Sequence, residues 1–105
     1  MDTTRMRTWA EIDLSALEHN YRTLRAMLPQ GCRFLGLCKA NAYGHGAAVI
    51  GHTLERLGAD MLAVACVSEA EELRQSGVTL PILCLGETPE ELIPLLLELD
   101  VTQMV

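Results

Sequence analysis

Positive charge is scarce in this sequence: eight Lys and Arg stand against 14 Asp and Glu, for a net charge of -6 and a pI near 4.9. Binding to a phosphate backbone draws on counterions released by a basic face, so nucleic acid is excluded as a partner and a small-molecule substrate is expected. No apolar run approaches the ~20 residues that span a bilayer, and residues Met1 to Arg7 contain no apolar stretch of the kind a secretory signal needs. The expected compartment is the cytoplasm, with no membrane partner. Cysteine occurs four times (Cys32, Cys38, Cys66, Cys84), yet without a C-x-x-C pair and without histidine at zinc-ligand spacing, so no metal site is expected. These thiols read as small buried hydrophobes in a reducing compartment. No linker, low-complexity tract or charge block divides the chain.

What is present is apolar and periodic. Half of the 105 residues are hydrophobic, enough for the core of one domain. Arg7 to Asp13 reads as a short extended segment anchored by Trp9 and Ile12. Ser15-Ala16-Leu17-Glu18 is a capping box for a helix whose stripe is Leu17, Tyr21, Leu24 and Leu28, stopped by Pro29 and Gly31. A strand over Arg33 to Cys38 follows. A second helix, from Gly46 to Leu57, carries Ile50, Leu54 and Leu57 on one face and ends at Gly58. Met61 to Cys66 and Leu80 to Leu85 are almost continuous apolar strands, as expected when both faces are covered. Ser68-Glu69-Ala70-Glu71 reads as another capping box, and Thr88-Pro89 opens a helix that Pro94 should interrupt. Val101 to Val105 begins a further strand. Strand and helix alternating at roughly 20 to 26 residues predict right-handed βα units on a parallel sheet. A complete (β/α)8 barrel takes about 250 residues, so the chain is expected to be the opening part of one.

The chemistry concentrates in Cys38-Lys39-Ala40-Asn41-Ala42-Tyr43-Gly44-His45-Gly46, between the first strand and the second helix. Ligands of parallel α/β folds bind at the carboxyl ends of strands. Lys39 is the only lysine in the sequence. If it points to the barrel axis, Leu35 and Leu37 share that face, while Phe34, Gly36 and Cys38 face the helices. An ammonium walled by leucine is partly desolvated, which lowers its pKa and frees an amine able to form a Schiff base with a carbonyl compound, pyridoxal phosphate included. Tyr43 could bring a phenol to the same place, and Gly44 and Gly46 flank a helix start able to receive an anion. On spacing alone the common alternatives stand: a solvated loop lysine, a tyrosine used in packing, and His45 as a helix-entry residue.

The run Lys39-Ala40-Asn41-Ala42-Tyr43-Gly44-His45-Gly46 resembles the pyridoxal-phosphate signature of alanine racemases, with Asn41 where that family usually has Asp. Trp9-Ala10-Glu11-Ile12-Asp13-Leu14, Asn20-Tyr21, Ala63-Val64-Ala65, Glu69-Ala70, Pro81 to Gly86 and Asp100-Val101-Thr102 extend the resemblance over nearly the whole chain. It implies a TIM-type barrel of the fold-type III pyridoxal-phosphate enzymes, with residues 1–105 as the amino-terminal portion of the barrel domain and the β-rich carboxyl-terminal domain absent. It also implies an isomerase of the cytoplasm that interconverts L- and D-alanine for peptidoglycan synthesis, working as a homodimer. By the same resemblance, Lys39 binds pyridoxal 5'-phosphate and serves as one of two racemisation bases, Tyr43 hydrogen-bonds the phosphate, and Leu85 is an apolar neighbour of the cofactor. The second base, a tyrosine of the partner subunit, and the arginine at the pyridine nitrogen have no counterpart in these residues, so 105 residues alone are expected to racemise little. Three other readings compete: a serine-preferring relative, a non-catalytic pyridoxal-phosphate-binding barrel, and an inactive structural piece.

Overall fold

The computed structural model describes residues 13–38 and 46–105. The extended segment expected over 7–13 lies, but for Asp13, outside the described residues, and so does the loop expected between the first strand and the second helix, over 39–45. Helix α1 (Leu14–Ala26) starts one residue before the expected capping box. Asp13 is its cap: Oδ1 accepts from the Ser15 and Ala16 amides at 2.9 and 3.1 Å, satisfying two N–H groups that have no partner within the helix. Glu18, freed from a capping role, pairs instead with Arg22 one turn on, at 3.1 Å. Of the expected stripe, Tyr21 is buried and Leu17 packs against the core, whereas Leu24 stays 53% exposed.

Strand β1 (Leu35–Leu37), helix α2 (Ala47–Leu57), β2 (Met61–Val64), α3 (Val67–Gln75), β3 (Ile82–Cys84), a 3-10 turn at Glu90–Leu92, α4 (Ile93–Glu98) and β4 (Val101–Gln103) follow in order. The strands form one sheet in sequential order, every pair parallel. Pro94 does not interrupt a helix. The chain first makes a tight turn, Leu92 N–H to Pro89 O at 2.9 Å, and a new helix then begins at Ile93. Pro94 thus falls in a first helical turn, where its missing N–H costs no internal bond.

One register row runs across the helix side of the sheet: Gly36, Leu62, Ile82 and Val101. Leu62, Ile82 and, on α3, Leu73 are fully buried there, each contributing about 1.5–3 kcal/mol. Gly36 has no side chain for a steric reason, since a Cβ would lie 2.6 Å from Leu54 Cδ1 of α2. The opposite row behaves differently. Leu35 and Leu37 are 45% and 40% exposed, on the face that a barrel turns toward its axis.

Long-range polar contacts gather at the amino-terminal ends of the strands. Asp60, just before β2, accepts from Phe34 N–H at 2.6 Å and from Arg25 Nη1 at 3.0 Å. Glu55 Oε1 accepts from Thr79 and Leu80 N–H at 2.8 and 3.0 Å, ahead of β3. Arg74 donates to the carbonyls of Val78 and Leu80 and to those of Leu99 and Asp100, joining the connections into β3 and β4. In barrels this end serves stability.

Two predictions follow from these contacts. Hydrogen bonds from Phe34 N–H and Arg25 hold the Asp60 carboxyl below its usual range, and bonds from Thr79 do the same for Glu55. Groups with depressed folded values stabilise above the unfolded pKa of about 4 and lose that contribution as pH falls through the folded value. Melting temperature should therefore hold from neutral pH to about 5 and fall below about 4, with Asp60→Asn starting lower and losing less on acidification. Arg74→Ala strands carbonyls on two connections and should cost at least about 2 kcal/mol, a fall of roughly 10 °C in melting temperature by calorimetry.

Candidate functional site

The carboxyl-terminal ends of the strands form a rim whose geometry follows from strand alternation. On the axis-facing side, Leu37, Ala63, Leu83 and Thr102 are paired neighbours in register. Ala63, set between two leucines, is fully buried even on this open face. Pairing continues past the regular strands: Cys38 N–H donates to Ala63 O at 2.7 Å, Leu85 N–H to Val64 O at 2.8 Å and Met104 N–H to Cys84 O at 2.9 Å. The next axis-facing row therefore contains Ala65, Leu85 and Met104.

Leu85, expected to neighbour a cofactor, is half-buried in that row. It also lines a cleft of about 520 Å³ with Glu87, Thr88, Gln103, Met104 and Val105. Gln103 organises the cleft, donating from Nε2 to Gly86 O at 2.6 Å and accepting from Thr88 Oγ1 at 2.5 Å. Lys39 and Tyr43, the other expected site residues, lie among residues 39–45, outside the described residues. Cys38, the last described residue before them, is fully buried on the helix side. Burial, and after it the Glu69 carboxylate, push the Cys38 thiol up to about 11, so it stays protonated at neutral pH and is no nucleophile. Cys84 is buried as expected; Cys66 and Cys32 are exposed, because Cys66 stands one residue before α3 and Cys32 in the loop ahead of β1.

Sequence reasoning missed the part played by Glu69. The expected box Ser68–Glu71 is not the cap of α3: Cys66 is the capping residue and its side chain makes no cap bond. Glu69, in the first turn, reaches back and accepts from the Ala65 N–H at 2.7 Å. The signal was the spacing of Cys66 and Glu69, which is that of a capping box with a thiol in the hydroxyl position. Among the described residues no His, Cys, Asp and Glu cluster is placed to hold a metal ion, and no helix is long and apolar enough to cross a membrane.

Residues 12–105 match the family model described as alanine racemase, N-terminal domain. An alanine racemase of Desulfovibrio desulfuricans is 44% identical over 97 residues, which make up 92% of this chain and 26% of that protein. The solved alanine racemase of Clostridium difficile in complex with cycloserine superposes with a TM-score of 0.93 at 42% identity, covering 96% of this chain and 28% of that one. The alanine racemase of Bartonella henselae with covalently bound pyridoxal phosphate superposes at 0.78 with 29% identity, over 88% of this chain and 27% of that one. The chain thus spans about a quarter of the length of the curated relatives it matches.

The rim tolerates little change at Gly86. Its N–H donates to Ala65 O at 3.0 Å, and a Cβ there would stand 2.2 Å from the same backbone oxygen. Gly86→Ala is expected to separate the ends of β2 and β3 and to cost more than about 2 kcal/mol in denaturant unfolding.

Proposed function

The chain belongs to the alanine racemase amino-terminal domain family, and on that premise we propose that it supplies the lysine side of a pyridoxal 5'-phosphate-dependent racemase interconverting L- and D-alanine. It forms the opening βα units of a TIM-type barrel. The observation that carries the reading is the alternation along β1. Leu35 and Leu37 face the barrel axis in the open while Gly36 and Cys38 are buried against the helices, and alternation carried one residue further would bring position 39 to the axis side at the rim.

The surroundings fit the cofactor. Leu37, Leu83 and Leu85 make an apolar wall, Ala63 and Ala65 present only methyl groups between them, and the protonated Cys38 thiol leaves the Lys39 amine as the nucleophile at this strand end. Lys39 would hold pyridoxal 5'-phosphate through Nζ, Tyr43 would donate its phenol to the phosphate, and Leu85 would be the apolar neighbour. The covalently bound pyridoxal phosphate of the Bartonella henselae relative supports the covalent role. What the group supplies when bound is an electron sink for the pair left on the substrate Cα.

The protein's own task is to move a proton. The Lys39 amine would take or return the Cα proton on one face. Racemisation needs a second proton carrier on the other face. Tyr21 does not serve: its ring is 4% exposed and packs edge-on against Phe34 at 4.7 Å, at the opposite end of β1. A tyrosine of a second subunit in a homodimer meets the requirement. The product, D-alanine, would enter peptidoglycan synthesis in the cytoplasm.

Because Lys39 is the only lysine, borohydride reduction after incubation with pyridoxal 5'-phosphate gives a direct test by peptide mass mapping. The adduct is expected at Lys39, abolished in Lys39→Ala and retained more weakly in Tyr43→Phe; equal loss in both would reverse the assigned roles, and no adduct at Lys39 would end the proposal. Turnover of L-alanine against L-serine by the full-length protein separates the alanine enzyme from a serine-preferring relative, and an adduct without turnover of either marks a non-catalytic cofactor carrier.

A further inference from the structure

Three carboxylates of the described residues accept backbone N–H groups from connections between strand and helix. Asp60 and Glu55 do so at the amino-terminal ends of the strands, where barrels are held together; Glu69 does so at the rim. The peptide it holds is gripped from both sides. Ala65 N–H donates to Glu69 Oε1 at 2.7 Å, and Ala65 O accepts from Gly86 N–H at 3.0 Å, against a position that has no room for a side chain. Leu85, one residue before Gly86, is tied to the same strand through Val64 O at 2.8 Å. On the other flank, Cys38 is bonded to Ala63 O at 2.7 Å, and its thiol lies within the field of the Glu69 carboxylate. One side chain therefore fixes the top of β2 while facing the end of β1 directly before Lys39.

We propose that Glu69 is a positioning residue of the cofactor rim, fixing through the Ala65 amide the strand ends that present Lys39 and Leu85. The inference rests on the reading of Lys39 as the cofactor lysine. In this role Glu69 acts as a hydrogen-bond acceptor at a set reach, holding the Ala65 amide.

Reach and charge can be separated by substitution. Glu69→Gln keeps an acceptor oxygen at the same distance, whereas Glu69→Asp keeps the charge and falls one methylene short; Glu55→Asp is the matched change at the other end of the sheet. Three quantities are measured on the full-length protein: the dissociation constant of pyridoxal 5'-phosphate with its borohydride-trapped adduct, hydrogen-exchange protection of the Ala65 amide, and the melting temperature without cofactor. Glu69→Asp is expected to weaken cofactor binding about tenfold and to lose Ala65 protection, with Glu69→Gln within about threefold of the parent. Glu55→Asp should lower the melting temperature and leave cofactor affinity unchanged. Parent-like affinity in Glu69→Asp, equal weakening by Glu55→Asp, or loss in Glu69→Gln matching that in Glu69→Asp would each overturn the inference. A parent protein that forms no adduct at Lys39 brings down the proposed function and this inference with it; a parent adduct alongside an unaffected Glu69→Asp removes this inference alone.

Discussion

The register row of Gly36, Leu62, Ile82 and Val101 obliges four strands to agree about which side is interior. A slip of one residue in any strand would turn its leucines and valines away from the helices and put small or exposed residues in their place. Burial of Leu62, Ile82, Val64 and Cys84 on one side holds that agreement. The other side inherits it, because every residue between buried neighbours must face the axis. The rim is built from this inherited face, and its chemistry is therefore a by-product of where the core lies.

The two ends of the sheet divide the work. At one end Asp60, Glu55 and Arg74 bind backbone groups of the connections into β1, β3 and β4. At the other, Gln103, Glu69 and the close approach at Gly86 shape a surface around Leu85. Polar groups serve both ends by the same physics, an acceptor or donor matched to a backbone partner that would otherwise compete for water. At the rim, apolar surface lies open beside them, with Leu37 40% exposed and Leu85 half-buried, which is the environment a ligand with a ring and an anionic group requires.

Much of this was legible in the sequence. The continuous apolar runs at Met61 to Cys66 and Leu80 to Leu85 marked buried parallel strands, and Gly58 marked the end of α2, where it adopts φ of 100°. Leu35 and Leu37 against Gly36 and Cys38 gave the facing of β1 by alternation alone. Capping was misread, because hydroxyl and carboxylate side chains compete for the same N–H groups: Asp13 outdid Ser15, and Glu69 reached back past a cysteine. Pro94 suggests a break within one helix, whereas the chain restarts at Ile93, a choice set by the local turn that no periodicity reveals. The apolar neighbours of Cys66 suggest burial, yet it lies two residues past the end of β2, at the cap of α3, and is exposed. Leu85 is singled out by the family resemblance; the hold of Gln103 on Gly86 and Thr88 depends on residues far apart in sequence and is not readable from spacing.

Arg74 carries one further consequence. Its guanidinium grips the chain on the way into β3 and again on the way into β4, so neither of these neighbouring units can peel away without releasing the other. A barrel assembled from repeated βα pieces could come apart one piece at a time, as stacked repeats do. A planar cation shared between two successive pieces welds them into a single opening unit, so that local fraying at the edge of the sheet costs as much as freeing two layers.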